Sequence, residues 1–204
     1  MDCLREGGST ALTVRAVAAR LETGPSSLYA HIRDQDELRV LIVDEVAASA
    51  LQEPLAVDDE GALALLRAYA AALYGVPGAA DLALRTTPTG PSSLDLAERL
   101  LEALSAGGRE LAVCLRALDF MVLLVTASVA EHDSRRAQPR NIGDDFADAL
   151  AFDERPRPLL LAALSVEVDA TGPDHLRWAL RALLTGADGA APRRRRTPLR
   201  KDRA

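Results

Sequence analysis

Two short helical patterns, separated by a Gly-Pro break, lie near the start of the chain and limit its fold more than any other feature. The segment from 12 to 38 reads LTVRAVAARLETGPSSLYAHIRDQDEL. After Thr13, whose hydroxyl suits a helix N-cap, the apolar positions recur at helical spacing: Val14, Val17, Ala18 and Leu21. Gly24 can adopt a positive φ and Pro25 suits a first helical turn, so the sequence predicts a stop and a restart there.

The residues after the break predict which side of the second helix, expected to run to His31, faces the core. The inward positions are Leu28 and Ile32, which leaves polar and aromatic residues outside: Ser26, Ser27, Tyr29 and His31. Asp34 followed by Glu37 resembles a capping box, so a long helix is expected to begin there, with core positions at Leu38, Leu41, Ile42 and Val46. A brace helix, a tight turn and a second helix form the arrangement that enters a DNA major groove. Because other helical proteins also contain two short helices and a Gly-Pro turn, the spacing alone leaves DNA binding open.

Four motifs in this segment resemble the DNA-binding region of the tetracycline-repressor (TetR) family. They read Leu12-Thr13-Val14-Arg15, Ala18-Ala19-Arg20-Leu21, Leu28-Tyr29-Ala30-His31, and Asp34 through Leu38. A weaker resemblance, GPSSLDLAERLLEALSAGG at 90–108, is to the C-terminal domain of the branch that includes the tetracycline repressor. The resemblance implies an all-α homodimer, with an N-terminal helix-turn-helix DNA-binding domain and a C-terminal helical domain for ligand binding and dimerisation.

The resemblance also implies which residues of the N-terminal domain, called the head below, contact double-stranded operator DNA: Thr13, Arg15, Pro25, Ser26, Ser27, Tyr29, His31 and Gln35. Thr13 and Arg15 match the start of the brace helix, where a hydroxyl and a cation reach phosphate or a guanine edge. Tyr29 and His31 match residues that hold the DNA backbone, and Gln35 replaces a common lysine. Alternatively, Tyr29 packs beneath the second helix and His31 is a solvated end-of-helix residue.

Two features depart from the family pattern. Leu21 is followed by Glu22 where the family usually has glycine, and a carboxylate near phosphates is unfavourable unless it points away. Only DCLREGG lies between Met1 and the head, so the first helix is either truncated or begins upstream of the recorded start.

The rest of the chain is predicted to be a helical body. Helices are expected at 61–74, 79–84, 92–104, 109–131, 158–166 and 173–184, with a turn at 86–91 and a polar loop at 132–143. The helix at 109–131 is apolar nearly all round, with one stripe at Leu111, Leu115, Leu118, Val122, Val125 and Val129, so it is expected to be covered on two sides. This helix and the one at 172–185, with its stripe Leu176, Leu180, Leu183 and Leu184, are expected to form the homodimer interface. The alternative is that both are ordinary core helices of a monomer.

The effector is expected to be a small, apolar molecule of unknown identity. Its candidate contacts are Leu51, Leu84, Thr86, Phe120 and Leu124, each of which can also be an ordinary core residue. In the tetracycline-binding relatives, a histidine before a Thr-x-Pro turn ligates magnesium, but that position is Ala83 here. A magnesium–tetracycline site, or any other metal or cofactor, is therefore not expected.

Composition and charge narrow the class of protein further. Aromatic residues make up 3% of the chain and no segment alternates like a β-strand, which favours an all-α fold. The longest apolar run, around 117–130, is short for a membrane span, no signal peptide is visible, and Cys3 and Cys114 are far apart. These features fit a reduced cytoplasm without membrane contact. The three histidines are scattered and no nucleophile has a paired base, so an enzyme is not expected.

Together these observations predict three segments: a head at 1–50, a body at 51–190 and a basic, disordered tail at 191–204. The tail carries seven Arg or Lys and one Asp, so the net charge of −6 leaves −12 on the first 190 residues. The predicted function is a ligand-responsive transcriptional regulator, most simply a repressor that binds a palindromic operator as a homodimer. The effector would release the DNA by shifting the long helix after Asp34 and so changing the separation of the two heads. The alternative is a helical ligand-sensing or interaction dimer whose head no longer reads DNA.

Overall fold

The computed structural model describes residues 3–4, 11–52, 54, 56–136, 148–149, 157–164 and 173–186. Nine helices are defined within these residues and no strand is: α1 Val14–Arg20, α2 Pro25–Leu28, α3 Gln35–Ala50, α4 Asp59–Tyr74, α5 Ala79–Leu84, α6 Pro91–Ser105, α7 Leu111–Arg136, α8 Pro158–Leu164 and α9 Pro173–Gly186. The all-α fold class is therefore confirmed. The predicted tail and most of the predicted loop at 132–143 lie outside the described residues.

Local capping explains where the helices of the head begin. The Thr13 hydroxyl oxygen accepts a hydrogen bond from the Ala16 amide (3.1 Å), so Thr13 is the N-cap of α1 as predicted. Pro25 opens α2 directly after the break, also as predicted. The second helix is shorter than expected, however, because α2 ends at Leu28 and the chain turns before His31.

The turn between α1 and α2 has an unexpected backbone conformation. Its left-handed residue is Glu22, with φ of 52°, whereas Gly24 has an ordinary φ of −82°. The Glu22 amide donates to the Ala19 carbonyl (3.2 Å), and the Thr23 amide donates to the Ala18 carbonyl (2.9 Å). This pair of hydrogen bonds is the Schellman closure of a helix C-terminus, in which glycine normally occupies the left-handed position. The prediction that Gly24 supplies the positive φ was wrong.

Helix α3 links the head to the body. It begins at the predicted cap, since Asp34 Oδ1 accepts from the Glu37 amide (2.8 Å), and it packs against α4, α5 and α6. Three of its four predicted core positions are buried: Leu38, Ile42 and Val46. The fourth, Leu41, was predicted wrongly, because it is 50% exposed.

The body helices follow the predicted order, with changes at their starts. Helix α4 begins earlier than expected, because Asp58 caps it by accepting from the Gly61 amide (2.8 Å). Helix α6 begins at Pro91 after Gly90. Its buried residues are Ser93, Leu96, Leu100, Ala103 and Leu104. Leu94 of the same helix is 59% exposed.

Helix α7 is the central helix of the body. It continues to Arg136, through the first part of the predicted polar loop, and packs against α4, α5, α6 and α9. Its buried apolar residues are Cys114, Ala117, Met121, Val125 and Val129. Of the stripe noted in the sequence, Val125 and Val129 are buried, whereas Leu111 and Leu115 are exposed. Within the described part of the chain, α7 is long and apolar enough to cross a membrane, but its contacts with four helices make it a core helix.

Helix α9 closes the body by packing against α7 and α4. Leu180 is only 1% exposed, and Leu176, Leu183 and Leu184 are partly buried, so this stripe faces the chain's own core. Leu180 is therefore unavailable to a partner. A dimer interface on this helix stays a prediction. The large apolar residue that α9 presents to solvent is Trp178, which is 68% exposed.

Candidate functional site

The outer surface of the head gathers most of the residues that the sequence assigned to DNA. Arg15, Pro25, Ser26, Ser27 and His31 are exposed on α1, α2 and the turn that follows α2. The residues predicted to face inward do so, since Leu28 packs against the core and Ile32 is buried. The segment therefore presents a polar outer face on an apolar support, as a groove-binding helix requires.

Thr13 has a structural role that leaves its proton available. Its oxygen accepts the hydrogen bond that caps α1, and its side chain is partly buried. A hydroxyl that accepts at its oxygen still has one O–H group to donate. Thr13 can thus cap the helix and donate to a phosphate oxygen at the same time.

Tyr29 and His31 lie just after α2. The Tyr29 amide donates to the Pro25 carbonyl (3.2 Å) and the His31 amide to the Leu28 carbonyl (2.8 Å), which fixes this turn relative to the helix. The Tyr29 side chain is 55% exposed, so it does not pack beneath the second helix. Both side chains are exposed.

Gln35 connects the start of α3 to the residues before α1. Its side-chain Nε2 donates to the Leu12 carbonyl (2.8 Å), and the residue is partly buried at the start of α3. This bond ties the linker helix to the residue before the Thr13 cap. The predicted phosphate contact of Gln35 would have to use its second amide hydrogen.

The charged side chains of the head differ in whether an oppositely charged side chain lies beside them. Glu37 Oε2 accepts from the Arg33 amide (2.5 Å) and from its Nε (3.2 Å), and mainly the amide holds the pKa of Glu37 below its usual range. Arg33 therefore has a carboxylate beside it. Arg15 is exposed and forms no ion pair within the described part of the chain. Glu22, in the turn between the helices, places one exposed negative charge close to this surface.

The candidate effector residues do not share one cavity among those described. Thr86 lines a cleft of about 270 Å³ between α3 and the turn at 85–89. The cleft is polar, and its lining consists of Asp36, Arg39, Val40, Arg85, Thr86, Thr87 and Thr89. Leu51 and Leu124 are partly buried, whereas Leu84 and Phe120 are exposed. The apolar effector pocket remains a prediction.

Sequence reasoning missed a buried polar contact between the linker helix and the body. The Ser93 amide, near the start of α6, donates to Asp44 Oδ1 over 2.8 Å, and both residues are buried. One signal was present, because Asp44 falls at a core position of α3, between Val43 and Val46. A carboxylate is rarely buried without a hydrogen-bonding partner.

Comparisons with known proteins agree with this architecture. Residues 59–188 match the family model described as "Tetracyclin repressor-like, C-terminal domain". No curated protein sequence matches the chain.

Solved structures match over nearly the whole chain. ActR from Streptomyces coelicolor, in complex with actinorhodin, is 25% identical with a TM-score of 0.74, over 91% of this chain and 93% of ActR. A possible TetR family transcriptional regulator from Streptomyces coelicolor A3(2) is 28% identical with a TM-score of 0.67, over 92% and 94% of the two chains. A TetR variant from Acinetobacter baumannii AYE, in complex with minocycline, is 20% identical with a TM-score of 0.66, over 96% and 94%.

Proposed function

Because the chain belongs to the tetracycline-repressor-like family, whose members include transcriptional regulators, we propose that it represses transcription as an operator-binding homodimer. A small molecule that binds the body would release it from DNA. The observation that carries the proposal is that Arg15, the serines of α2, Tyr29 and His31 are all exposed on the two short helices of the head and the turn that follows them. These residue types are the ones that reach phosphates and base edges.

The DNA contact that we propose for each residue follows from its position in α1 or α2. Ser26 and Ser27, early in α2, would lie nearest the base edges, and Arg15 with Thr13 would anchor α1 on the backbone. Arg15, which forms no ion pair among the described residues, provides little electrostatic affinity alone, since each phosphate contact contributes through counterion release. Two heads in one dimer would double these contacts and require a palindromic site.

Exposed apolar side chains on the body support dimerisation. Leu115, Phe120 and Leu123 of α7 are each more than half exposed, as is Trp178 of α9. Leu159 of α8 is 86% exposed. Large exposed apolar surfaces mark interaction sites, and a second copy of the chain is the partner we propose. A tryptophan in this setting is a typical anchor of such an interface.

Dimerisation is tested by Trp178→Glu, which places a charge at the proposed anchor without entering the core. We expect the wild type to sediment as a dimer at micromolar concentration and the variant as a folded monomer. Leu94→Glu is the matched control, because Leu94 is similarly exposed but lies on α6. Glu at Leu180 is unsuitable, since it would unfold the body. A monomeric wild type would contradict the dimer.

The proposed route from effector to DNA is helix α3. It begins directly after the two short helices of the head and packs against three body helices, so one rigid element touches both parts. An effector needs a difference in affinity between the two arrangements of only about 1–3 kcal/mol to regulate binding. The complex of ActR with actinorhodin supports a small-molecule effector for this chain.

DNA binding is tested by selecting binders from a random DNA pool with the purified full-length chain. We expect a palindromic sequence to be enriched, and Arg15→Ala and Tyr29→Ala to lose it. Arg135→Ala is the control, because this exposed arginine lies near the end of α7, paired with Glu131. The alternative function, an interaction dimer whose head does not bind DNA, predicts stable dimers that enrich no DNA sequence.

A further inference from the structure

Helix α6 lacks a capping residue of its own. Its N-cap is Gly90, which has no side chain to accept a hydrogen bond. The cap is supplied from another helix, because Asp44 Oδ1 of α3 accepts from the amide of Ser93, the third residue of α6 (2.8 Å). A side-chain oxygen that accepts from this amide is what a local cap residue would provide. Asp44 is 49 residues away in the chain, so this cap is a tertiary contact.

The start of α6 lies so close to Asp44 that only glycine fits at position 90. A Cβ atom on Gly90 would lie 2.3 Å from the Asp44 carboxyl carbon and 2.7 Å from its Cβ. Gly90 has an ordinary φ of −73°, so glycine is needed here for close approach and not for backbone conformation. Asp44 is 8% exposed and Ser93 7%. Water therefore has little access to replace the bond.

We propose that Asp44 is a clasp that fixes linker helix α3 to the start of α6, so that the two move as one unit. Three effects favour the closed clasp: the bond is charge-assisted, it lies at the positive end of a helix dipole, and it is buried. Opening it would leave a buried carboxylate and a buried amide without partners.

The position of the clasp on α3 gives it a regulatory consequence, which rests on the proposed function. Asp36, Val40 and Asp44 are spaced four residues apart and so follow one side of the helix. The first two line the cleft against the turn at 85–89, and the third grips the helix that follows this turn. A ligand that displaces the turn or the start of α6 would therefore pull α3, and with it the head.

Hydrogen exchange measured by mass spectrometry tests the clasp in the full-length chain, without DNA or effector. In Asp44→Ala, the amides of 93–97 and those of 38–47 should both exchange about 10- to 100-fold faster, the factor for losing a hydrogen bond to a charged group. A shared opening has one free energy, so both segments should change by the same factor. Asp44→Asn retains an acceptor oxygen and should give a smaller, again equal, change.

The matched control is Glu45→Ala, which removes the neighbouring exposed carboxylate from the same helix. It should leave exchange in both segments unchanged. If Asp44→Ala does not fold, the comparison of Asp44→Asn with wild type carries the test. Faster exchange at 93–97 alone would show that Asp44 caps α6 but does not couple it to α3. No change in either segment would show that Asp44 does not stabilise the start of α6 either. Equal loosening in a protein that enriches no DNA sequence would keep the clasp and reject the proposed repressor.

Discussion

Replacing Glu22 with glycine should stabilise the protein, although this residue contacts no core side chain. Glu22 holds the left-handed position of the Schellman turn that ends α1, with φ of 52°. A side chain with a Cβ is strained there, because the Cβ approaches the following carbonyl oxygen. Glycine has no such contact, so Glu22→Gly should relieve the strain without changing the turn.

The expected size follows from two opposing effects. The left-handed conformation costs a residue with a Cβ about 1–2 kcal/mol. Glycine also gains freedom in the unfolded chain, which offsets about 0.4–1 kcal/mol of that relief. The net stabilisation is therefore about 1 kcal/mol, or a rise in Tm of about 2–4 °C for a chain of this length.

Thermal and urea denaturation followed by circular dichroism measure this change. Glu22→Ala is the control for charge, since alanine keeps the strain and removes the carboxylate. Gly24→Ser tests the other glycine of the turn, which has φ of −82° and where an added Cβ would meet no atom within 4 Å. Serine should be tolerated there and should cap α2. If Glu22→Ala stabilises as much as Glu22→Gly, charge repulsion explains the effect and the argument from strain is refuted.

Three further results are expected. Gly61→Ala should lower the free energy of unfolding by about 1–3 kcal/mol in urea denaturation, because its Cβ would lie 1.7 Å from the Ala56 carbonyl oxygen. Burial raises the pKa of Tyr69 above 10.0, so stability should fall as pH rises through 10, where only the unfolded chain loses this proton. Tyr69→Phe should flatten that alkaline slope in pH-dependent urea melts. Deleting 193–204 should weaken specific and random DNA binding alike and flatten the salt dependence in fluorescence titrations, whereas unchanged affinity and slope would make this segment inert.

Local signals in the sequence predicted the head well. Thr13 and Asp34 cap the helices that follow them, and each bond spans only three residues. The inward positions Leu28 and Ile32 were also predicted correctly, because a short helix with few apolar residues has one possible register. The residues that define the candidate DNA surface were therefore accessible to sequence reasoning, although their contacts with DNA stay a prediction.

The registers of the body helices were not predictable in the same way. Helix α6 carries more leucine and alanine than its buried face holds, and α7 carries leucine, alanine and valine on several faces, so the buried face is chosen by the neighbouring helices. Leu94 and Leu96 are equally apolar, yet only Leu96 is buried. The α6 cap was missed because its acceptor, Asp44, is distant in the chain. The left-handed Glu22 was missed because glycine, the residue that favours this conformation, lies two positions later.

The central claim is that two heads of one dimer read a palindromic operator, and footprinting on the DNA sequence selected from the random pool tests it most directly. Hydroxyl-radical protection should appear as two equivalent segments, related by inverted symmetry and centred about one helical turn apart or a multiple of it. Arg15→Ala should abolish both segments together. A single unsymmetrical footprint, or protection that does not depend on sequence, would contradict the claim.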